Sequence, residues 1–169
     1  DGPRSSIKAE GRMSSVSLQA LDEADIPALM ALSLAQEQSA FVKPISDILA
    51  AISPAQRAYV IRCRQQLVGF FIIDRDYPYA RELDLHDVAL LRSFFIGQAY
   101  QGRGYAKQAL ARLPAMLALQ GGFKHVALTV NCRNKAAQGL YLATGFSDSG
   151  VLYLGGPAGP QHIYVKTLA

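Results

Sequence analysis

Arg92-Ser93-Phe94-Phe95-Ile96-Gly97-Gln98-Ala99-Tyr100-Gln101-Gly102-Arg103-Gly104-Tyr105-Ala106 joins the end of an apolar run to the start of a helical pattern. The run Val88 to Ile96 is apolar on both faces except at Arg92 and Ser93, so it reads as a central, fully buried strand. Glycines at 102 and 104 let the following turn approach a ligand closely. The helix that begins at Gly104 leaves its first N–H groups without intrahelical partners and adds the partial positive charge of its dipole. A strand, a glycine turn and a helix start in this order suit a pyrophosphate. Lys107 stands where a dinucleotide fingerprint needs its third glycine, and the Gly-Lys-Ser/Thr ending of a P-loop is absent.

Working outward, Val16 to Leu21 alternates like an opening strand, and Asp22 or Asp25 can cap a helix running to about Gln36 with Pro27 in its first turn. A short helix is expected over Ser46 to Ile52. Ala58–Arg64 and Leu67–Asp74 read as a hairpin turning at Gln65-Gln66. Gly104 to about Leu119 should be helical, with a kink or early break at Pro114, and Gly121-Gly122 closes it. His125–Val130 is a further buried strand, Asn134–Ala143 a further helix stopped by Gly145, and Phe146–Leu154 and His162–Leu168 the last two strands. The expected fold is therefore α/β of the α+β kind: a mixed, mostly antiparallel sheet of about seven strands, flanked by about four helices.

Composition narrows the function classes. Of 169 residues, half are hydrophobic and 18% charged, which fits a folded soluble domain. Residues 1–12 read as an expression remnant or a disordered leader ahead of Met13, and 13–169 as a single domain. With no apolar run of membrane-spanning length and no secretory signal pattern, a cytoplasmic location without membrane contact is expected. Cys63 and Cys132 have no metal-ligand spacing, so no metal is expected and both read as free thiols. The net charge of +4 is not gathered into a basic block with stacking aromatics, which argues against nucleic acid. Between Asp74 and Asp87 the sign reverses: Asp74, Asp76, Glu82, Asp84 and Asp87 face only Arg75 and Arg81. A basic body with one acidic segment fits an anionic cofactor and a cationic substrate, although a solvated acidic loop would look the same.

A second block raises the specificity of the glycine turn: Asn131-x-x-Asn134-x-x-Ala137-x-x-Leu140-Tyr141-x-x-x-Gly145-Phe146. Asn134 and Tyr141 lie two helical turns apart, hence on one face, where both can reach one elongated ligand. With Gln101-x-x-Gly104-x-Ala106 and Asn134-x-x-Ala137-x-x-x-Tyr141 followed by Gly145-Phe146, the chain resembles the GNAT superfamily of acyl-CoA-dependent N-acyltransferases from about Val16 to Leu168. Within it, Phe41-Val42-x-Pro44, Val68-Gly69-Phe70-Phe71 and Arg92-x-Phe94-Phe95-Ile96 look like the bacterial polyamine acetyltransferase branch.

The resemblance implies roles. Phe94, Phe95 and Ile96 would offer main-chain groups to the pantetheine arm of acetyl-CoA. Gln101, Gly102, Arg103, Gly104, Tyr105 and Ala106 would hold its pyrophosphate. Asn134, with Ala137 on the same helix, would bond the arm, Lys135 would approach the nucleotide end, and Tyr141 would protonate the departing thiolate. Without the motif, the same phenylalanines and Tyr141 would read as core, and His125, His162 and Cys132 as structural. The glutamate that many relatives place on the strand before the turn has no counterpart in Ala89–Arg92. Glu82, Asp84, His86 and Asp87 are the candidate bases, and a buried Arg92 would need an acid such as Glu37 or one from the acidic segment. The expected activity is acetyl transfer from acetyl-CoA to a small primary amine in a ternary complex. A protein or peptide N-acetyltransferase and a non-catalytic acyl-CoA sensor are the alternatives. The terminal strands are available for pairing two copies into a homodimer.

Overall fold

The structure, a computed structural model, describes residues 15–36 and 44–168. The expected leader at 1–12, Glu37 and the Phe41-Val42 part of one motif lie outside the described residues. Seven strands form one sheet: β1 (Val16–Ala20), β2 (Gln56–Cys63), β3 (Gln66–Asp74), β4 (Val88–Ile96), β5 (His125–Asn131), β6 (Ser147–Tyr153) and β7 (Gln161–Thr167). Their order across the sheet is β1-β2-β3-β4-β5-β7-β6, so β4 is the middle strand, as its two apolar faces demand. Every neighbouring pair is antiparallel except β4 with β5.

Among the described residues, four helices longer than one turn flank the sheet: α1 (Ile26–Gln36), α2 (Ile45–Ala50), α3 (Tyr105–Gln120) and α4 (Lys135–Ala143). Leu110, Leu113 and Leu117 of α3 bury against Ile61, Phe71, Ala89, Leu91 and Leu128 on one face. Leu29, Leu32, Ile45 and Ile48 of α1 and α2 bury against Val60, Phe70, Ile72 and Phe95 on the other. The alternation along β3, with Phe71 and Ile73 on one side and Phe70 and Ile72 on the other, is the pleat made visible.

Three local outcomes differ from the sequence reading. Helix α3 runs unbroken through Pro114. One missing hydrogen bond costs on the order of 3 kcal/mol, while three leucines buried on both sides of the proline each contribute about 2 kcal/mol. Asp22 and Asp25 do not divide the capping between them as alternatives. Together they form a reciprocal box at a 3-10 turn, Glu23–Asp25, that leads into α1. The acidic connection is not all loop, since Ala80–Leu83 forms one helical turn. Among the described residues, no helix is long and apolar enough to cross a membrane, and no three His, Cys, Asp or Glu side chains are grouped to hold a metal.

Candidate active site

The sheet opens between β4 and β5. The two strands pair over only Val88↔His125, Ala89↔Val126 and Leu90↔Ala127, then diverge. The cause is a bulge: Ile72 faces Arg92 and Phe70 faces Phe95, so Ser93 and Phe94 together oppose Phe71. Ser93 takes a left-handed φ of 54° to make it. The extra residue switches the parity of the strand. Ala89 and Leu91 point to the α3 side before it, and Phe94 and Ile96 after it.

Beyond the bulge, main-chain directions are fixed by pairing. Gly97 donates its N–H to Val68 O at 2.8 Å, so Phe95, two residues back, also turns its main chain toward β3. Ile96 therefore turns its main chain to the open side, and the period of two places Phe94 with it. Of the three residues expected along an acyl-carrying arm, Phe94 and Ile96 face the opening, whereas Phe95 is engaged by its neighbour strand. Phe95 contributes through packing against Phe70.

The glycine turn closes one end of this opening. Gly102 and Gly104 have φ of 78° and 81°, and a Cβ on Gly102 would meet nothing within 4 Å. Space is thus plentiful, and glycine is required by the backbone alone. The first helical bond of α3 runs from Gln108 N–H to Gly104 O at 3.1 Å. The amides of Tyr105, Ala106 and Lys107 precede it and point out of the helix end. Gln101 donates its side-chain amide to Ile96 O at 2.9 Å, fastening the turn to the strand. A cleft of about 220 Å³ lies here, lined by Ile96, Gly102, Gly104, Ala106, Lys107 and Leu140. Exposed Arg103 lies with its guanidinium 5.9 Å from the Tyr100 ring centre. The Tyr105 hydroxyl hydrogen-bonds the Cys63 thiol, which, ahead of burial, raises its pKa against the opposing Arg103 bond.

Helix α4 supplies the opposite wall. Asn134 caps it, with Oδ1 accepting from Ala137 N–H at 3.2 Å, so the cap fixes the side chain and leaves its NH₂ to donate. Two turns on, Tyr141 is buried between Phe94 of the bulge and Phe146, at ring separations of 6.3 and 5.7 Å. Burial alone pushes its phenol up to about 12. Lys135 is exposed in the first turn, and Gln138 ties α4 to the Asn131 and Cys132 carbonyls.

The acidic segment is not gathered at one place. Asp74 is buried and accepts from Arg92 Nη1 (2.9 Å), Gln56 Nε2 (3.0 Å) and Asp76 N–H. Burial raises its pKa, but the Gln56, Asp76 and Arg92 bonds outweigh that and hold it below its ordinary 3.8. Asp74 is thus the partner of Arg92 among the described residues. Tyr77, Tyr79 and Leu85 pack on Val88, Leu90 and Ala127, and Tyr79 also meets Tyr153 at 5.1 Å. Burial and then the charge of Glu82 push the Tyr77 phenol up to about 12. Asp84 and His86 are exposed. Asp87 sits where β4 and β5 are still joined, 4.0 Å from Lys124 Nζ, roughly 20 Å of strand from Ser93.

Neither the Ser93 bulge nor the place of Lys107 and Leu140 in the cleft was foreseen, whereas the acid expected for Arg92 does come from the acidic segment, as Asp74. Two polar residues inside an apolar strand were the available signal for the first.

Residues 23–146 match the family described as acetyltransferase (GNAT). YbbJ, an uncharacterized N-acetyltransferase of Bacillus subtilis (strain 168), is 30% identical over 154 residues, covering 88% of this chain and 94% of the relative. Among solved structures, a spermidine N-acetyltransferase of Vibrio cholerae in complex with CoA and spermine has a TM-score of 0.68 at 19% identity, over 92% of this chain and 96% of that one. An acetyltransferase of Salmonella typhimurium that modifies the N-terminal serine of a ribosomal subunit protein has a TM-score of 0.69 at 18% identity, over the same shares.

Proposed function

This chain belongs to the GNAT acetyltransferase family, and from that premise we propose that it transfers the acetyl group of acetyl-CoA to the primary amine of a small molecule within a ternary complex. The observation that carries this reading is the opening of β4 from β5 at Ser93, with the glycine turn at one end and Tyr141 beside it. The residues fit the co-substrate: an open cradle of helix-end amides suits its phosphates, and a strand edge turned to the opening suits its amide-bearing arm.

Acetyl-CoA supplies a thioester, an acyl group already activated for attack. The amides of Tyr105, Ala106 and Lys107 hold the phosphates. The main chain of Phe94 and Ile96 aligns the arm and aims an N–H at the thioester oxygen, where negative charge develops. Asn134 NH₂ bonds the arm from the α4 side. Tyr141 donates its hydroxyl to the sulfur as the C–S bond breaks. A phenol near 12 keeps its proton across the working range. It is a much weaker acid than a thiol of about 8.5, so its donation is driven to completion only as a proton leaves the amine nitrogen. Nitrogen gives one proton to water, sulfur takes one from Tyr141, and water returns one to the Tyr141 oxygen, so the phenol is restored and the step balances. Strand β4 carries no acid or histidine, so the amine's proton leaves through water, toward the side where the charge of Glu82 reaches Tyr77 and Tyr79.

Thiol release measured on diamines, amino acids and short peptides tests the proposal. Turnover on small amines above that on peptides supports it, and turnover on peptides alone overturns it in favour of protein acetylation. Thermal stabilisation by acetyl-CoA with no thiol from any amine identifies a sensor instead.

A further inference from the structure

The acceptor side of the opening carries a cation. Strand alternation puts Arg92 on the same face as Val88 and Leu90, one step beyond the patch where Tyr77 and Tyr79 pack. It immediately precedes the bulge residue Ser93, so it lies about 7 Å along the strand from Phe94, whose main chain faces the opening. Its charge and that of Asp74 both reach Tyr79.

Arg92 and Asp74 share one hydrogen bond but not one environment. The Asp74 side chain is 4% exposed and that of Arg92 47%. Asp74 is saturated by three donors, from Gln56, Asp76 and Arg92. Among the described residues, Arg92 spends only Nη1 on it, and its half-exposed guanidinium keeps Nη2 and Nε as donors for a ligand. Asp74 therefore acts as an anchor that fixes the guanidinium, rather than as a counter-ion that hides it. A guanidinium held this way presents a planar fork suited to a carboxylate. It also repels a second ammonium on the acceptor. Of the remaining acidic residues, Asp87 is at the closed end of the strands and Asp84 is exposed on the loop, which leaves exposed Glu82, whose charge reaches Tyr77 and Tyr79, as the acid on this side.

We propose that the acceptor amine carries a carboxylate, as in an amino acid, and that Arg92 seats that carboxylate while the amine enters the opening at Ser93. This inference rests on the acetyltransferase reading above and names its acceptor. It runs against the cationic substrate expected from the acidic segment and from the polyamine-like motifs.

The test compares amino acids with their own carboxamides, and both with diamines, by thiol release. Each pair differs only in the anionic group. The expected kcat/KM for the acid is on the order of ten- to a hundredfold above that of the amide. Arg92→Gln should erase this preference while the KM for acetyl-CoA stays within about twofold, and Arg92→Lys should retain part of it. Because Arg92→Gln strands a buried carboxylate, the double variant Asp74→Asn/Arg92→Gln is measured beside it, and it too should lose the preference. Equal rates for acid and amide, or diamines preferred by the wild type, overturn the inference and leave the acetyltransfer reading intact. If no amine releases thiol, the acetyltransfer reading fails. The inference is then decided by calorimetric binding of N-acetyl amino acids against N-acetyl amino acid amides. Tighter binding of the acid that Arg92→Gln abolishes supports it, and equal binding overturns it.

Discussion

The two sides of the opened sheet are built on different physics. The side proposed for the cofactor is main chain: three helix-end amides, two glycines with left-handed φ, and the edge of Phe94 and Ile96 that turns away from β3. Side chains there mostly position the main chain, as Gln101 does by bonding Ile96 O and Asn134 by capping α4. The side proposed for the acceptor is built of side chains: Arg92 braced by Asp74, and a cluster of Tyr77, Tyr79 and Tyr153. Main-chain recognition tolerates change in most side chains and suits a ligand shared by many enzymes. Side-chain recognition can be altered one residue at a time and suits the variable partner.

Substitutions can break this comparison, and the largest effect is expected where one side chain matters on the cofactor side. Tyr141→Phe should lower kcat by about 10²- to 10³-fold, with the KM for acetyl-CoA within about twofold. An unchanged kcat in steady-state assays would return Tyr141 to the core. Because the Tyr141 pKa is raised by burial, the folded state favours the neutral phenol. Its stabilising contribution is full below the unfolded value of about 10 and is lost as pH rises toward 12. Alkaline unfolding of Tyr141→Phe should accordingly be less steep above pH 10 than that of the wild type.

Next comes the anchor of the acceptor side. Asp74→Asn should cost about 2 kcal/mol at neutral pH, through loss of charged hydrogen bonds in a buried place, read from urea midpoints. The folded pKa of Asp74 lies below 3.8, so this contribution is present above 3.8 and fades as pH falls below it. The wild type and Asp74→Asn should converge in stability on acidification. A constant gap down to the lowest pH would deny Asp74 its charged role.

Gly104→Val should raise the KM for acetyl-CoA about tenfold, since a β-branched residue resists the φ of 81° that opens the cradle. Gly139→Ala, in open space on α4 with no positive φ, is the control and should leave KM unchanged. The smallest effect belongs to Asn134→Ser, which keeps a capping oxygen but no NH₂. Stability should fall by less than about 0.5 kcal/mol, while the KM for acetyl-CoA rises two- to fivefold, within the range of one hydrogen bond. An unchanged KM would confine Asn134 to capping.

Much of this was legible from the chain. Strand positions, the central place of β4 and the turn at Gly102 and Gly104 follow from periodicity and from residues whose backbone preferences are local. Asn134 and Tyr141 on one face of α4 follow from helical spacing. The early break expected as one outcome at Pro114 does not occur, because a local penalty was outweighed by leucines packed against the sheet. The layout of the acidic segment was not legible for a related reason: charges adjacent in sequence were dispersed by a helical turn, a buried anchor and a strand end.

By itself, then, the sequence determined the family, the elements and the glycine turn, because each rests on short-range preferences or spacing within one element. Only the tertiary structure decided that β4 leaves β5 after Leu90, that Ile96 rather than Phe95 faces the opening, and that Asp74 braces Arg92. Each of these depends on register between strands. A bulge of one residue sets that register, and no periodicity along a single strand announces which neighbour it will face.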